Sequence, residues 1–445
     1  MGISAKGDPS LRVALVMCLL PAFYFFVALV FALMHFKDYG SDVPQFLRYV
    51  AVPALVLIFL CVVPTMFSRS VAASIGLTAL AILLGLFAIE IWLTVKLIII
   101  LVGMVGGIAS VDTGKFDGLP PSAGLGTVNR EIGTNRLAEA VLSGIPLSKV
   151  FFCNNGDKTV TYTADRNGFN NPDQVYDDIV ELVVVGDSFV EGFCLDSGTE
   201  VLGQLRKTHP RTVGLALRGS GPLFELAMLK RFGTALQPKT TVIVFFEGND
   251  WENLENELEL NWLTKSLEPN ADFGPANMSE GQLEKMRLFV SAYHKKRIPT
   301  YDVFIKKSTL RNFLALHQTF SILGLSYPKV AQPQAEYLHV LKRAQDVVSE
   351  WNGKLKLVYL PQADRYSGLL NRNHAYDSTR ALVLIAARQA GVDVIDLTDK
   401  FWRTNDPAGL YADDAHLSER GAAEMARVLA GELDSHGAKL SGVGP

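Results

Sequence analysis

The apolar run 182–185 ends on Gly186-Asp187-Ser188. A buried strand there would deliver a serine hydroxyl to the carboxyl edge of a sheet, where α/β enzymes keep their chemistry. Gly, Asp and Ser are also common turn residues, so the triplet needs partners before it means anything. Two later segments supply them. The run 242–246 leads into Glu247-Gly248-Asn249-Asp250, and Asp413-Asp414-Ala415-His416 opens a helical stretch near the C-terminus. A hydroxyl, an amide, an imidazole and a carboxylate on separate strand ends are the parts of a serine esterase.

Each part has a task. Ser188 is a weak nucleophile until a base accepts its proton. His416 is the candidate base, because an imidazole titrates near neutral pH and can return the proton to a leaving alcohol. A carboxylate beside it would fix the tautomer and stabilise the imidazolium. Asp413, three residues before His416, and Asp414, two before it, compete for that place. The other seven histidines lie in no comparable setting. The acidic run Glu252, Glu255, Glu257 and Glu259 has no partnered histidine, and three of its members share one face of a short helix, so a solvated surface accounts for it. Nothing in the chain matches a phosphate loop, a nucleotide fingerprint or a zinc site, and no cofactor or metal is expected.

The four segments fall in order: Gly186-Asp187-Ser188, Gly219 within Arg218-Gly-Ser-Gly-Pro222, Asn249-Asp250, and Asp413-x-x-His416. This resembles the SGNH or GDSL superfamily of hydrolases and acyltransferases over roughly residues 150–435. Phe189 replaces the usual Leu, and Glu247 stands where the third block usually begins with Gly. The resemblance implies a flavodoxin-like three-layer α/β/α domain with a parallel sheet. It also implies a triad of Ser188, His416 and Asp413, with Asp414 facing water or capping the next helix. The oxyanion donors it implies are the backbone N–H of Ser188, that of Gly219 (with Gly221 ranked second) and the Asn249 amide. Similar sequences carry a Cys before a stretch like Asp165-Arg-Asn-Gly-Phe-Asn-Asn-Pro172 and another after the GDS strand. A Cys153–Cys194 disulfide is therefore expected, and an oxidising compartment with it.

The elements that must position these residues alternate. Strands are expected at 181–186, 211–217 and 241–247, with helices at 197–208 and 222–233. A helix at 334–352, strands at 354–360 and 392–397, and helices at 377–390 and 418–433 complete the series. Alternation of this kind predicts a parallel sheet with helices on both faces. Between the two series, 251–330 reads as an irregular insertion that caps the site as a lid or substrate platform. Residues 112–135, rich in Gly and Pro, read as a linker. The domain from 136 to 440 follows.

The first 111 residues differ from all this. They hold the excess of a chain that is 49% apolar over 445 residues. Runs at 13–36 and 49–67 contain no charge, and 71–111 is interrupted only by Glu90 and Lys96. A membrane-crossing helix needs about 20 such residues. Three spans are expected, the third at 71–95 with 97–108 as its extension or an interfacial helix. Glu90 is expected near the outer interface, reaching for water. Lys6, Arg12 and Arg69 place the N-terminus in the cytoplasm by the positive-inside tendency, and everything after 111 outside. A net charge of −3 gives no electrostatic case for nucleic acid. The expected protein is a membrane-anchored serine esterase of the extracytoplasmic side, acting on O-acyl groups of an envelope polysaccharide. A polysaccharide O-acyltransferase with the same residues, and a non-catalytic glycan-binding scaffold, are the alternatives. Three spans look too few for a transporter of acyl donor, which favours hydrolysis.

Overall fold

Five strands rich in β-branched and aromatic residues build the sheet that carries the candidate site: β3 (Leu182–Gly186), β4 (Thr212–Ala216), β5 (Thr240–Phe246), β6 (Lys354–Leu360) and β7 (Asp393–Asp396). All pair in parallel, in the order β4-β3-β5-β6-β7. This is the doubly wound flavodoxin-like order, in which the chain steps to one side after the first strand and returns to the other. The computed structural model describes residues 10–106, 115–155, 158–295, 307–370 and 372–441. It divides into two compact units, one of 101–298, 333–366 and 379–445, the other of 1–100, 299–332 and 367–378.

In the first of these, alternate strand residues face opposite layers, as a pleated backbone requires. Val242, Val244 and Val358 share a buried cluster with Met425 and Leu429 of the helix Glu419–Ser441. Phe245, one residue out of step, instead meets Tyr337 of the helix Ala335–Ser349 at 5.3 Å between ring centres. Helices therefore cover both faces, and β3 and the second half of β5 are buried and apolar, the expected α/β architecture. Ahead of the sheet, β1 (Lys149–Asn155) and β2 (Lys158–Thr163) form an antiparallel pair. Cys153 of β1 is bonded to Cys194, with 5.6 Å between their Cα atoms.

Two expected boundaries differ in the structure. Residues 115–135 do not trail between domains: Leu119, Ala123, Leu125 and Val128 are buried, and Leu125–Glu131 is helical. The glycines and prolines there turn a packed segment, and Asn129 holds it by bonding both N–H and C=O of Val141. Residues 112–114 lie outside the described residues. The stretch 251–330 is neither irregular nor one piece. It contains helices at Asp250–Leu258, Glu280–Lys295, Lys307–Leu314 and His317–Leu323. Its part beyond 298 groups with the apolar helices instead of the sheet.

The second unit is built on three helices long and apolar enough to cross a membrane, within Leu11–Met34, Val43–Met66 and Arg69–Ile99. The third apolar region is one continuous helix, Arg69–Gly106, so residues 97–106 prolong it, and 107–108 lie outside the described residues. Small residues set the contact between helices: Ala14, Cys18 and Ala72 are buried with Val63, and Gly76 lies so close to the Met17 and Cys18 backbone that a Cβ would clash. Glu90 does not reach for an interface. It is fully buried and accepts from the N–H groups of Gln318 (3.0 Å) and Thr319 (2.8 Å) and from the Thr319 hydroxyl (2.7 Å).

Candidate active site

At the carboxyl end of β3 the chain turns sharply into the short helix Ser188–Glu191. The Asp187 carboxylate caps that turn by accepting the N–H of Phe189 at 3.0 Å. Asp187 is fully buried, and burial pushes its carboxyl up to about 6. The Ser188 hydroxyl is thereby fixed at the sheet edge. His416 arrives from the far end of the chain on a tight loop closed by the Tyr411–Leu417 bridge and the Ala412 N–H to His416 carbonyl bond. Ala415 takes a left-handed backbone (φ 68°) to make that loop. The result is a hydrogen bond of 3.0 Å between His416 Nε2 and Ser188 Oγ.

The other ring nitrogen settles which aspartate is the partner. His416 Nδ1 lies 3.1 Å from Asp414 Oδ2, and Asp414 Oδ1 accepts the His416 backbone N–H at 3.1 Å. Burial alone would raise the Asp414 carboxyl, but the hydrogen bond and charge of His416 outweigh it and hold it below the usual value. Asp413 is exposed and makes none of these bonds. The structure thus differs from the expected Asp413: the left-handed turn at Ala415 folds the residue two positions back, not three, under the imidazole. Two aromatic rings flank the imidazole, Phe193 at 4.6 Å and Phe189 at 5.0 Å between ring centres.

Gly219 and Asn249 follow β4 and β5, the two strands that flank β3 in the sheet. Both therefore stand at the same edge as Ser188, around the point where strand order reverses and α/β proteins bind ligands. Gly219 has φ +70°, a conformation other residues rarely adopt. Among the described residues, no group accepts the N–H of Ser188, the N–H of Gly219 or the Asn249 amide hydrogens. The Asn249 side-chain oxygen is buried and also without a partner. Gly221 differs, because its N–H is taken by the buried Glu257 at 2.6 Å, along with that of Leu223 at 2.8 Å. Glu257 is therefore no part of a solvated acidic face. Its binding of Gly221 leaves Gly219 as the free donor of that turn.

Buried ion pairs that the sequence analysis did not anticipate hold these turns. Arg218 pairs with Glu191 of the nucleophile helix, which also accepts the Arg218 N–H (2.7 Å) and the Tyr162 hydroxyl (2.8 Å). The Arg218 guanidinium then bonds the carbonyls of Leu119 (3.1 Å) and Pro120 (3.2 Å). Glu247 turns inward, where it pairs with Arg365, accepts from Tyr359 and caps the Gln362 N–H at 2.7 Å. It ties the end of β5 to the loop after β6, so a Glu at that position is an anchor. The only sequence sign was the charge itself in an apolar setting. Trp251 packs against Phe245 and Tyr337, under the sheet and not over the site.

Residues 324–444, which include Asp414 and His416, match the family described as "SGNH hydrolase-like domain, acetyltransferase AlgX". Over that stretch the chain is similar to the SGNH/GDSL superfamily. This match supports hydrolase or acyltransferase activity on esters. Among solved structures it is similar to a lipase/acylhydrolase from Enterococcus faecalis, at 12% identity over 57% of this chain and 96% of that one, with a TM-score of 0.31. A lipolytic protein of the G-D-S-L family from Desulfitobacterium hafniense DCB-2 gives 14% identity, 56% and 98% coverage and a TM-score of 0.31. No curated protein matches it in sequence.

Proposed function

We propose that the chain is a membrane-anchored serine enzyme that removes or transfers acyl groups through an acyl-enzyme on Ser188. One observation carries this reading: Ser188 Oγ, His416 Nε2 and, through Nδ1, Asp414 lie in one hydrogen-bonded line beside three unpartnered donors. In the first step Ser188 Oγ attacks the ester carbonyl and its proton passes to His416 Nε2. Asp414 stabilises the imidazolium that results. The N–H groups of Ser188 and Gly219 and the Asn249 amide face the developing oxyanion. Collapse of the intermediate breaks the ester C–O bond, and His416 gives the proton to the departing alkoxide. Water or a sugar hydroxyl, deprotonated by His416, then takes the acyl group from Ser188.

The substrate we propose is an O-acyl group of an envelope polysaccharide, met on the extracytoplasmic side. Three apolar helices and a disulfide that an oxidising compartment would keep support that location. A fluorophosphonate probe tests the chemistry: it should label the wild type and not Ser188→Ala. A folded wild type that stays unlabelled would leave only the scaffold alternative. The match of 324–444 to a family described as acetyltransferase favours transfer as the second reading. Acylation of envelope polysaccharide in cells carrying Ser188→Ala separates the two, rising for an esterase and falling for a transferase.

A further inference from the structure

The chain returns to its apolar helices at residues 307–332, and its contacts there deepen in order. Gln332 donates to the carbonyl of Lys37 at 3.0 Å, and Val330 to that of Asp38 at 2.9 Å, both in the loop after the first span. Further back, Tyr327 exchanges hydrogen bonds with the Tyr49 hydroxyl in the second span. Further still, the Tyr24 hydroxyl donates to the carbonyl of Leu314 at 3.1 Å, and Phe313 meets Phe87 at 5.5 Å between ring centres. Tyr24 is ten residues before the end of its helix at Met34, about 15 Å along the axis at 1.5 Å per residue. That is roughly half of a hydrocarbon layer about 30 Å thick.

Two helices, Lys307–Leu314 and His317–Leu323, meet at this depth through a turn with Leu316 in the left-handed region (φ 55°). Irregular backbone within a bilayer persists only where protein replaces water as its hydrogen-bond partner. Both helix ends have such a partner. Tyr24 takes the Leu314 carbonyl, and Glu90 takes the N–H groups of Gln318 and Thr319. The buried carboxyl of Glu90 is satisfied in turn by these donors and the Thr319 hydroxyl. Meanwhile Leu310, Leu314 and Ile322 are more than half exposed, as are Leu369 and Leu370 of the loop bonded to Ile322 and Leu323. The spans likewise expose large apolar side chains, among them Phe23, Leu84 and Trp92. Eight residues of helix span about 12 Å, which returns Lys307 to headgroup level, and Arg311 is long enough to reach back there.

We infer that residues 307–323 form a re-entrant helical hairpin inserted in the bilayer beside the three spans, with lipid hydrocarbon as the occupant of its exposed leucine face. The inference rests on the membrane-anchored reading and is tested so that the two can fail separately. Leu314→Cys and, as a control, Leu84→Cys are placed in full-length protein with Cys18 and Cys61 replaced by Ala. Leu84 is 61% exposed on the third span. A membrane-impermeant maleimide is added to opened membrane vesicles, then again after detergent. Both thiols should resist labelling in the bilayer and react in detergent. If position 84 is protected and position 314 reacts in membranes, the hairpin is not inserted. If both react, the spanning assignment itself fails. Adding Glu90→Leu should expose position 314 while position 84 stays protected, and continued protection at 314 would overturn the capping role given to Glu90.

Discussion

Replacing one aspartate at a time beside His416 distinguishes the observed geometry from the spacing that the sequence suggested. Asp414→Asn keeps the shape of the side chain but removes its charge and offers an amide to Nδ1. At 3.1 Å, an imidazolium and a carboxylate attract by about 5 kcal/mol at an effective dielectric of 20. The Asp414 side chain is 10% exposed and that of His416 25%, so solvent trims this value without removing it. The expected result is a fall in kcat of about 10³–10⁴, the scale on which loss of the charge and tautomer acts in such triads. Asp413→Asn, at an exposed position, should stay within about twofold of wild type, since it changes no contact with the ring. Hydrolysis of p-nitrophenyl acetate by purified protein, with active sites counted by fluorophosphonate, measures both. A wild-type rate in Asp414→Asn, or a collapse in Asp413→Asn, would refute the assignment.

Three other outcomes follow from the same geometry. Asn249→Ala should lower kcat by about 10²–10³ with KM little changed, the effect expected of the oxyanion role proposed for its amide; an unchanged kcat would remove it from the oxyanion hole. Glu247→Ala removes the carboxylate paired with Arg365, which is 2% exposed, and should destabilise the fold by about 3–5 kcal/mol in a urea titration, whereas a loss below about 1 kcal/mol would show that the pair is not the anchor described. The Asp187 carboxyl, pushed up to about 6 by burial, favours the fold below its unfolded value near 4 and loses that contribution as pH rises through about 6. Asp187→Asn should thus gain stability relative to wild type between about pH 4 and 7, and parallel pH profiles for the two proteins would contradict the buried carboxyl.

The sequence revealed what local pattern controls. Runs such as 182–185 and 242–246 are apolar throughout, so they read as buried parallel strands, and polar turns at their ends marked where chemistry stands. Ser188 and His416, 228 residues apart, were paired by their chemistry and by the resemblance, and the structure places them in contact. The aspartate was misjudged because spacing along a chain does not reveal the sign of φ at Ala415, which decides what the turn brings inward. Gly219 was ranked above Gly221 by the resemblance alone, and Glu257 is the physical difference between them, since it occupies the N–H of Gly221. The fate of 299–332 was the least legible. The partners of 307–332 are polar atoms and one ring on distant helices, and no periodicity within the segment announces them.

Glu90 has a history as well as a place. Its donors, Gln318 and Thr319, are made some 228 residues later. At five to twenty residues per second, a ribosome needs about 10 to 50 s to cover that distance. For that interval the third helix must hold the Glu90 carboxyl without these donors. The anchor is therefore not a module completed first and then loaded with an enzyme. A truncated product ending after the third helix would keep its hydrophobicity and lack its closing contacts, which makes Glu90 a point at which quality control could tell a finished chain from an abandoned one.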